Sequence, residues 1–185
     1  MEIGQKLVPT GILEVKSGIS GIFFGESSET SNYIVDCIDK WLDLRKYHEK
    51  GIETIVLNLD NGPAINSHTT QFIKRMVLLS KKFNLKIRLI YYPPYHSKYN
   101  PIERLWGVLE NFWNGAILDT VDTALKWAGN MTWKGINPII NKVNGVYERG
   151  IKVTKDELVK FKEFWKPSES LSKWDISIDA RNMVL

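Results

Sequence analysis

Two short apolar runs constrain this 185-residue chain more than anything else in it. Residues 52–59 (IETIVLNL) and 86–92 (KIRLIYY) are rich in β-branched and aliphatic side chains and read as strands. Between them Phe72, Met76, Leu79 and Phe83 recur at helical spacing. Strand, helix, strand is a crossover unit, which joins parallel strands and demands helices packed on a sheet. The fold class is therefore α/β, and residues 52–59 are expected to be a buried strand of its sheet.

The flanking sequence extends that pattern. Residues 7–15 (LVPTGILEV) and 19–24 (ISGIFF) read as two extended segments around a Ser17-Gly18 turn. Ser28, Thr30 and Ser31 offer N-caps for an amphipathic helix over 31–47, with Ile34, Cys37, Ile38, Trp41 and Leu42 on its apolar face. Pro93 and Pro94 stop the 86–92 strand, and a polar loop runs from Tyr95 to Asn100. A third helix starts at Pro101, with Ile102, Leu105, Leu109 and Phe112 on one face. Beyond Gly115 the character changes. Residues 120–133 and 155–165 read as helices, the latter opened by a Thr154–Glu157 capping box, and an extended tail follows from Pro167. The expected organisation is a core over 1–116 and a mainly helical extension with an extended tail over 117–185.

Composition narrows the partners. Lys plus Arg exceed Asp plus Glu by 25 to 21, for a net charge of +4 and a pI near 9.0. That balance permits an anionic partner such as a nucleic acid. A single cysteine, Cys37, excludes a disulfide framework and points to a reducing, cytoplasmic compartment. On the apolar face of its helix, Cys37 reads as core. No apolar run is long enough for a membrane span, so no membrane partner is expected. Seven tryptophans predict a bulky aromatic core or aromatic contact surfaces.

In α/β sheets, ligands bind at the carboxyl ends of strands, and two unusual segments fall there. One is Asn58-Leu59-Asp60-Asn61-Gly62-Pro63; the other runs from Tyr91 through His96-Ser97-Lys98-Tyr99-Asn100-Pro101-Ile102-Glu103-Arg104 to Gly107. They would bring Asp60 and Glu103 towards one crevice. Carboxylates there are hard oxygen ligands suited to Mg²⁺ or Mn²⁺, and a pair of such ions serves phosphoryl transfer. Each residue also has a structural reading. Asp60 suits an Asp-Asn-Gly turn. Asn100, Pro101 and Glu103 suit the N-cap, N1 and N3 positions of a capped helix. Glu110 shares a face with Glu103 and stands as a fallback ligand. His68 and His96 could shuttle protons or ligate a metal, or simply be solvated. Lys81, Lys82, Lys86 and Arg88, with Lys98 and Arg104, form either a phosphate-tracking surface or a solvated helix end. Trp106 and the later tryptophans read as packing.

The same two segments resemble the catalytic domain of DDE-type transposases, nearest to bacterial insertion-sequence enzymes related to the mariner group. Asn100-Pro101-Ile102-Glu103-x-x-Trp106 is the most specific piece. The resemblance implies a ribonuclease-H-like mixed sheet flanked by helices, and three carboxylates holding two divalent ions, Mg²⁺ or Mn²⁺. It makes Asp60 the second carboxylate and Glu103 the third, with Asn61, His68 and Asn100 in support and Lys81, Lys82, Lys98 and Arg104 towards DNA. It implies cleavage and strand transfer at transposon ends, with DNA rather than a small molecule as substrate. In the family the first carboxylate precedes the hairpin, and none of Glu2, Glu14, Asp36 and Asp39 takes that role here. The expectation is a carboxy-terminal part of such an enzyme, with weak metal binding and impaired cleavage. An opened sheet edge makes a homodimer expected. A non-catalytic DNA-binding or regulatory remnant and a different ribonuclease-H-like nuclease remain as alternatives.

Overall fold

Gly18 closes the hairpin that the early extended runs predict. Its φ of 76° is one that glycine adopts freely, and its N–H donates to the Glu14 carbonyl at 2.8 Å. The strands on either side are β1 (Val8–Leu13) and β2 (Ser20–Gly25), antiparallel, with Val8 opposite Gly25 and Leu13 opposite Ser20. The computed structural model describes residues 7–93, 96, 99–115 and 120–184. These carry five α-helices and seven strands in two mixed sheets. The mixed α/β arrangement is compatible with a ribonuclease-H-like fold. It divides into two compact units.

The first unit comprises residues 1–29 and 98–147. Its sheet has the order β1-β2-β5, with β5 (Ile139–Lys142) parallel to β2. Helices α3 (Pro101–Trp113) and α4 (Val121–Asn130) complete it. Every residue of β2 is buried. Ile22 and Phe24 join Leu105, Leu109, Ala128 and Met131 in one core, flanked by Trp106, Trp113 and Trp133. Each such aliphatic or aromatic side chain contributes about 1.5–3 kcal/mol on burial.

The second unit comprises residues 30–97 and 148–185. It holds α1 (Ser31–Arg45), β3 (Thr54–Leu59), α2 (Thr70–Phe83), β4 (Lys86–Tyr91), α5 (Lys155–Phe161), β6 (Trp165–Pro167) and β7 (Asp175–Ile178). The crossover unit is present: β3 and β4 are parallel, with Thr54 opposite Lys86 and Leu59 opposite Tyr91. The apolar stripe of α2 (Phe72, Met76, Leu79, Phe83) is buried as its spacing predicts. Thr30 caps α1, and the Thr154–Glu157 capping box opens α5.

Two expectations are corrected. Residues 52–59 are not a buried strand. The sheet order is β3-β4-β7-β6, so β3 is an edge; its residues alternate between exposed and half-buried, and Val56 is 53% exposed. The tail after Pro167 is not merely extended. Strand β7 pairs with β4, burying Ile176 and Ile178, and β6 pairs with β7. The extension beyond residue 117 also supplies β5, so it contributes strands to both sheets. Local periodicity carries no record of these pairings, because the partners lie far apart in the chain.

Candidate active site

Asp60 follows the last rung of the parallel pair, where the Tyr92 N–H donates to the Leu59 carbonyl at 2.9 Å. It is exposed at the carboxyl end of β3. Its Oδ1 accepts a hydrogen bond from the Gly62 N–H at 3.3 Å, the turn that the Asp-Asn-Gly sequence predicts. That bond engages one carboxylate oxygen of this exposed residue. The loop beyond is stitched to itself. Thr69 Oγ1 donates to the Pro63 carbonyl at 3.1 Å and contacts Asn66 Oδ1 at 3.0 Å, and Asn66 Oδ1 also accepts from the His68 N–H at 3.0 Å. Ser31 Oγ donates to the Ala64 carbonyl at 2.6 Å, anchoring the loop to the start of α1. Asn61 and His68 are exposed on this loop. Asn66 and Thr69 are not singled out by the sequence, and Ser31 is read there only as an N-cap. The Asn-Ser-His-Thr run ahead of α2 was the available signal, since such side chains bond nearby backbone in place of a helix ladder.

Beside the loop, Tyr91 ends β4 and is buried. Burial pushes its phenol well above the ordinary value, which keeps it protonated.

Glu103 lies in the first turn of α3, exposed, where a carboxylate is favoured by the helix dipole. Asn100 caps the helix: its Oδ1 accepts from the Ile102 N–H at 3.4 Å, and Pro101 takes the first turn, where no N–H is needed. The reciprocal half of a capping box is not formed. Among the described residues, the Glu103 carboxylate makes no hydrogen bond or ion pair, so it is not consumed by the cap. The helix beneath it is held firmly. Leu105 and Leu109 are in the core, and Trp106 lies against β1 at Gly11. A Cβ at Gly11 would stand 2.7 Å from Trp106 Cζ2 and 3.1 Å from Ile102 Cδ1, so only glycine admits this approach. Trp106 is thus a packing residue, as read. Glu110 is exposed further along α3.

Asp60, Asn61 and His68 stand on the second unit, and Glu103, Asn100 and Arg104 on the first. Among the described residues, no three His, Cys, Asp or Glu side chains cluster as a metal site. Asp60 and Glu103 are each an exposed carboxylate that, among the described residues, keeps at least one oxygen without a hydrogen bond or ion pair, and a carboxylate oxygen is the donor type that suits a hard divalent ion.

The expected basic surface is divided. Lys82 is engaged by Asp39 at 2.5 Å and Asp43 at 3.6 Å on α1. Arg88 grips Asp175 through two bonds of 2.9 and 2.6 Å, which hold the Asp175 carboxyl below its usual range. Lys81 and Arg104 make no ion pair among the described residues. Lys98 lies outside the described residues. Trp113 packs as read, meeting Phe24 with ring centroids 6.2 Å apart; Trp127 meets Phe112 edge-on at 5.6 Å but is 40% exposed. Cys37 is buried. Among the described residues, no helix is long and apolar enough to cross a membrane.

A family model described as the Rhodopirellula transposase DDE domain matches residues 2–180. No curated protein and no solved structure matches the chain.

Proposed function

We propose, from the premise that this chain belongs to the DDE transposase domain family, that Asp60 and Glu103 are two carboxylates of its metal-dependent phosphodiester chemistry. The family membership points to a transposition-related nuclease function, and such domains generally use divalent metals. The observation that carries the residue assignment is the pairing of context with chemistry. Asp60 directly follows the last rung of a parallel strand pair, and Glu103 opens a capped helix with its carboxylate unspent among the described residues. A divalent ion ligated by such carboxylates, Mg²⁺ or Mn²⁺, would supply the activation of an attacking oxygen and the stabilisation of a leaving one. The chain's own contribution is orientation. The Gly62 N–H holds one Asp60 oxygen, and the Asn100 cap and the Gly11 contact fix the start of α3. Arg104, the neighbour of Glu103, and Lys81, neither ion-paired among the described residues, are the cations to meet phosphates, with Asn61 and His68 on the loop of Asp60. Lys82 serves less well, because its charge is already answered.

No acid of this chain matches the family's first carboxylate. Two carboxylates hold a divalent ion more weakly than three, so metal binding is weak and strand cleavage slight. The substrate is DNA, and the nearest resemblance remains the mariner-related group. The test is a Mn²⁺ titration followed by paramagnetic resonance, with plasmid nicking in parallel. Weak Mn²⁺ binding that disappears in both Asp60→Asn and Glu103→Gln is expected, with salt-dependent DNA binding retained. Binding untouched by either substitution would overturn the site. Tight binding with robust nicking, lost in Asp60→Asn, would overturn the impairment. DNA binding with no metal effect at all would leave the regulatory, non-catalytic reading in its place.

A further inference from the structure

Two hydroxyls stand at the start of α1, and they are used differently. Thr30 is the cap: its backbone is extended, with φ −131° and ψ 166°, and its Oγ1 accepts from the Tyr33 N–H at 3.3 Å. Ser31 is the first helical residue and is buried, so the helix does not need its hydroxyl. That hydroxyl reaches across 33 positions of sequence and donates to the Ala64 carbonyl at 2.6 Å. Ala64 lies inside a tight turn, in which the Gly62 carbonyl accepts from the Ile65 N–H at 3.1 Å and from the Asn66 N–H at 3.0 Å. The N–H of the same Gly62 donates to Asp60 Oδ1. The next residue of α1 holds the far end of the loop. Asn32 Oδ1 accepts from Gln71 Nε2 at 2.8 Å and from Arg75 Nη1 at 3.2 Å, and Arg75 Nη2 donates to Asp36 Oδ1 at 2.6 Å. The segment from Asp60 to α2 is thus tied at both ends to one helix start.

We propose that Ser31 is a positioning residue for Asp60, orienting its carboxylate for a divalent ion through Ala64 and Gly62. Asp60 is exposed, and an exposed carboxylate turns freely unless a hydrogen bond holds it. The bond from the Gly62 N–H is long, at 3.3 Å, so it depends on Gly62 being held in place. The two bonds to the Gly62 carbonyl hold Gly62 relative to Ala64. Ser31 then holds Ala64 relative to α1, whose Tyr33, Ile34, Val35 and Cys37 are in the core. Without the Ser31 hydroxyl the turn keeps its internal bonds and loses this tether to a rigid element. Partners that orient a ligand from behind govern metal affinity along with the ligand itself. This role rests on Asp60 being a metal ligand, as proposed above, and adds to it a residue that the helix itself does not require.

The experiment compares Ser31→Ala, Asp60→Asn and Thr30→Ala in the full chain. Thr30→Ala is the control for stability, since it removes the helix cap one residue away and leaves the Ser31–Ala64 bond in place. The first readout is the Gly62 amide resonance in metal-free protein. It should move in Asp60→Asn, which exchanges the carboxylate acceptor for an amide, and in Ser31→Ala, which frees the turn, and stay in place in Thr30→Ala. Amide protection along α1 and β4 establishes that each variant is folded. The second readout is a Mn²⁺ titration followed by paramagnetic resonance. Ser31→Ala should weaken Mn²⁺ binding by about tenfold, the low end for a residue behind a ligand, while Thr30→Ala leaves it unchanged. A Gly62 resonance unmoved in Ser31→Ala would overturn the proposal whatever the metal does. So would Mn²⁺ binding that is lost in Asp60→Asn but unchanged in Ser31→Ala, or that Thr30→Ala weakens as much. If Asp60→Asn leaves Mn²⁺ binding intact, the reading of Asp60 as a ligand is what fails, and the metal-free resonance alone decides whether Ser31 orients its carboxylate.

Discussion

In the first unit, the helix that carries Glu103 rests on aromatic rings, two buried leucines and one glycine. In the second, the strand that carries Asp60 belongs to a sheet and helix pair laced with ions. Arg75 meets Asp36 at 2.6 Å, Lys74 meets Glu157 at 2.9 Å, Arg88 meets Asp175, and Arg181 meets Asp179 at 2.8 Å. The first unit is positioned chiefly by shape, which tolerates little change of volume and responds weakly to solvent conditions. The ionic links of the second are partly exposed, so each contributes little energy, about 0–1 kcal/mol, but fixes direction. What anchors β7 energetically is the burial of Ile176 and Ile178; Arg88 and Asp175 align it. The two candidate catalytic carboxylates are thus supported by different physics and should fail under different perturbations.

The sharpest break comes from the core of the first unit. Leu105→Ala should cost about 2–5 kcal/mol, because Leu105 is fully buried on α3 in a close-packed core with Ile22, Phe24, Leu109, Ala128 and Met131, and its removal leaves a cavity there. Denaturant unfolding followed by tryptophan fluorescence measures it, and a loss below 1 kcal/mol would show that shape is not what holds this helix.

Gly11→Ala should cost less, about 1–3 kcal/mol, through a clash and not a cavity. It should also disturb Glu103 while sparing the second unit. Hydrogen exchange read residue by residue would show the loss in α3 and β1 alone. Loss spread equally over both units would erase the contrast drawn between them.

The smallest effect is acid sensitivity. Hydrogen bonds from Arg88, Arg181 and Lys74 hold Asp175, Asp179 and Glu157 below their ordinary values of 3.8 and 4.5. The stability they add is complete above those ordinary values. It fades as pH falls below them through the lower folded values. Amides of β7 and α5 should therefore lose protection before those of α3 as pH drops below about 4. If α3 opened first, the division between shape and charge would be wrong.

Much of this molecule was legible because it is locally encoded. The β3–α2–β4 crossover follows from apolar periodicity, the α1, α3 and α5 starts from Thr30, Asn100 and Thr154, and the turn after Asp60 from Asp-Asn-Gly. The motif around Asn100 to Trp106 marked the family, which the match over residues 2–180 establishes. Other features depend on partners far away in the chain. Gly11 reads as an ordinary weak point in a strand until Trp106 is laid over it. Lys82 reads as a free cation until α1 brings Asp39 and Asp43 beside it. The tail reads as extended until β4 gives β7 a neighbour. An apolar strand says that it wants to be paired and covered, but not on how many sides, and that is why β3 reads as interior and stands at an edge. Hydrophobic spacing is a property of consecutive residues; strand order, ion partners and steric fit belong to the folded chain, and only the tertiary structure decides them.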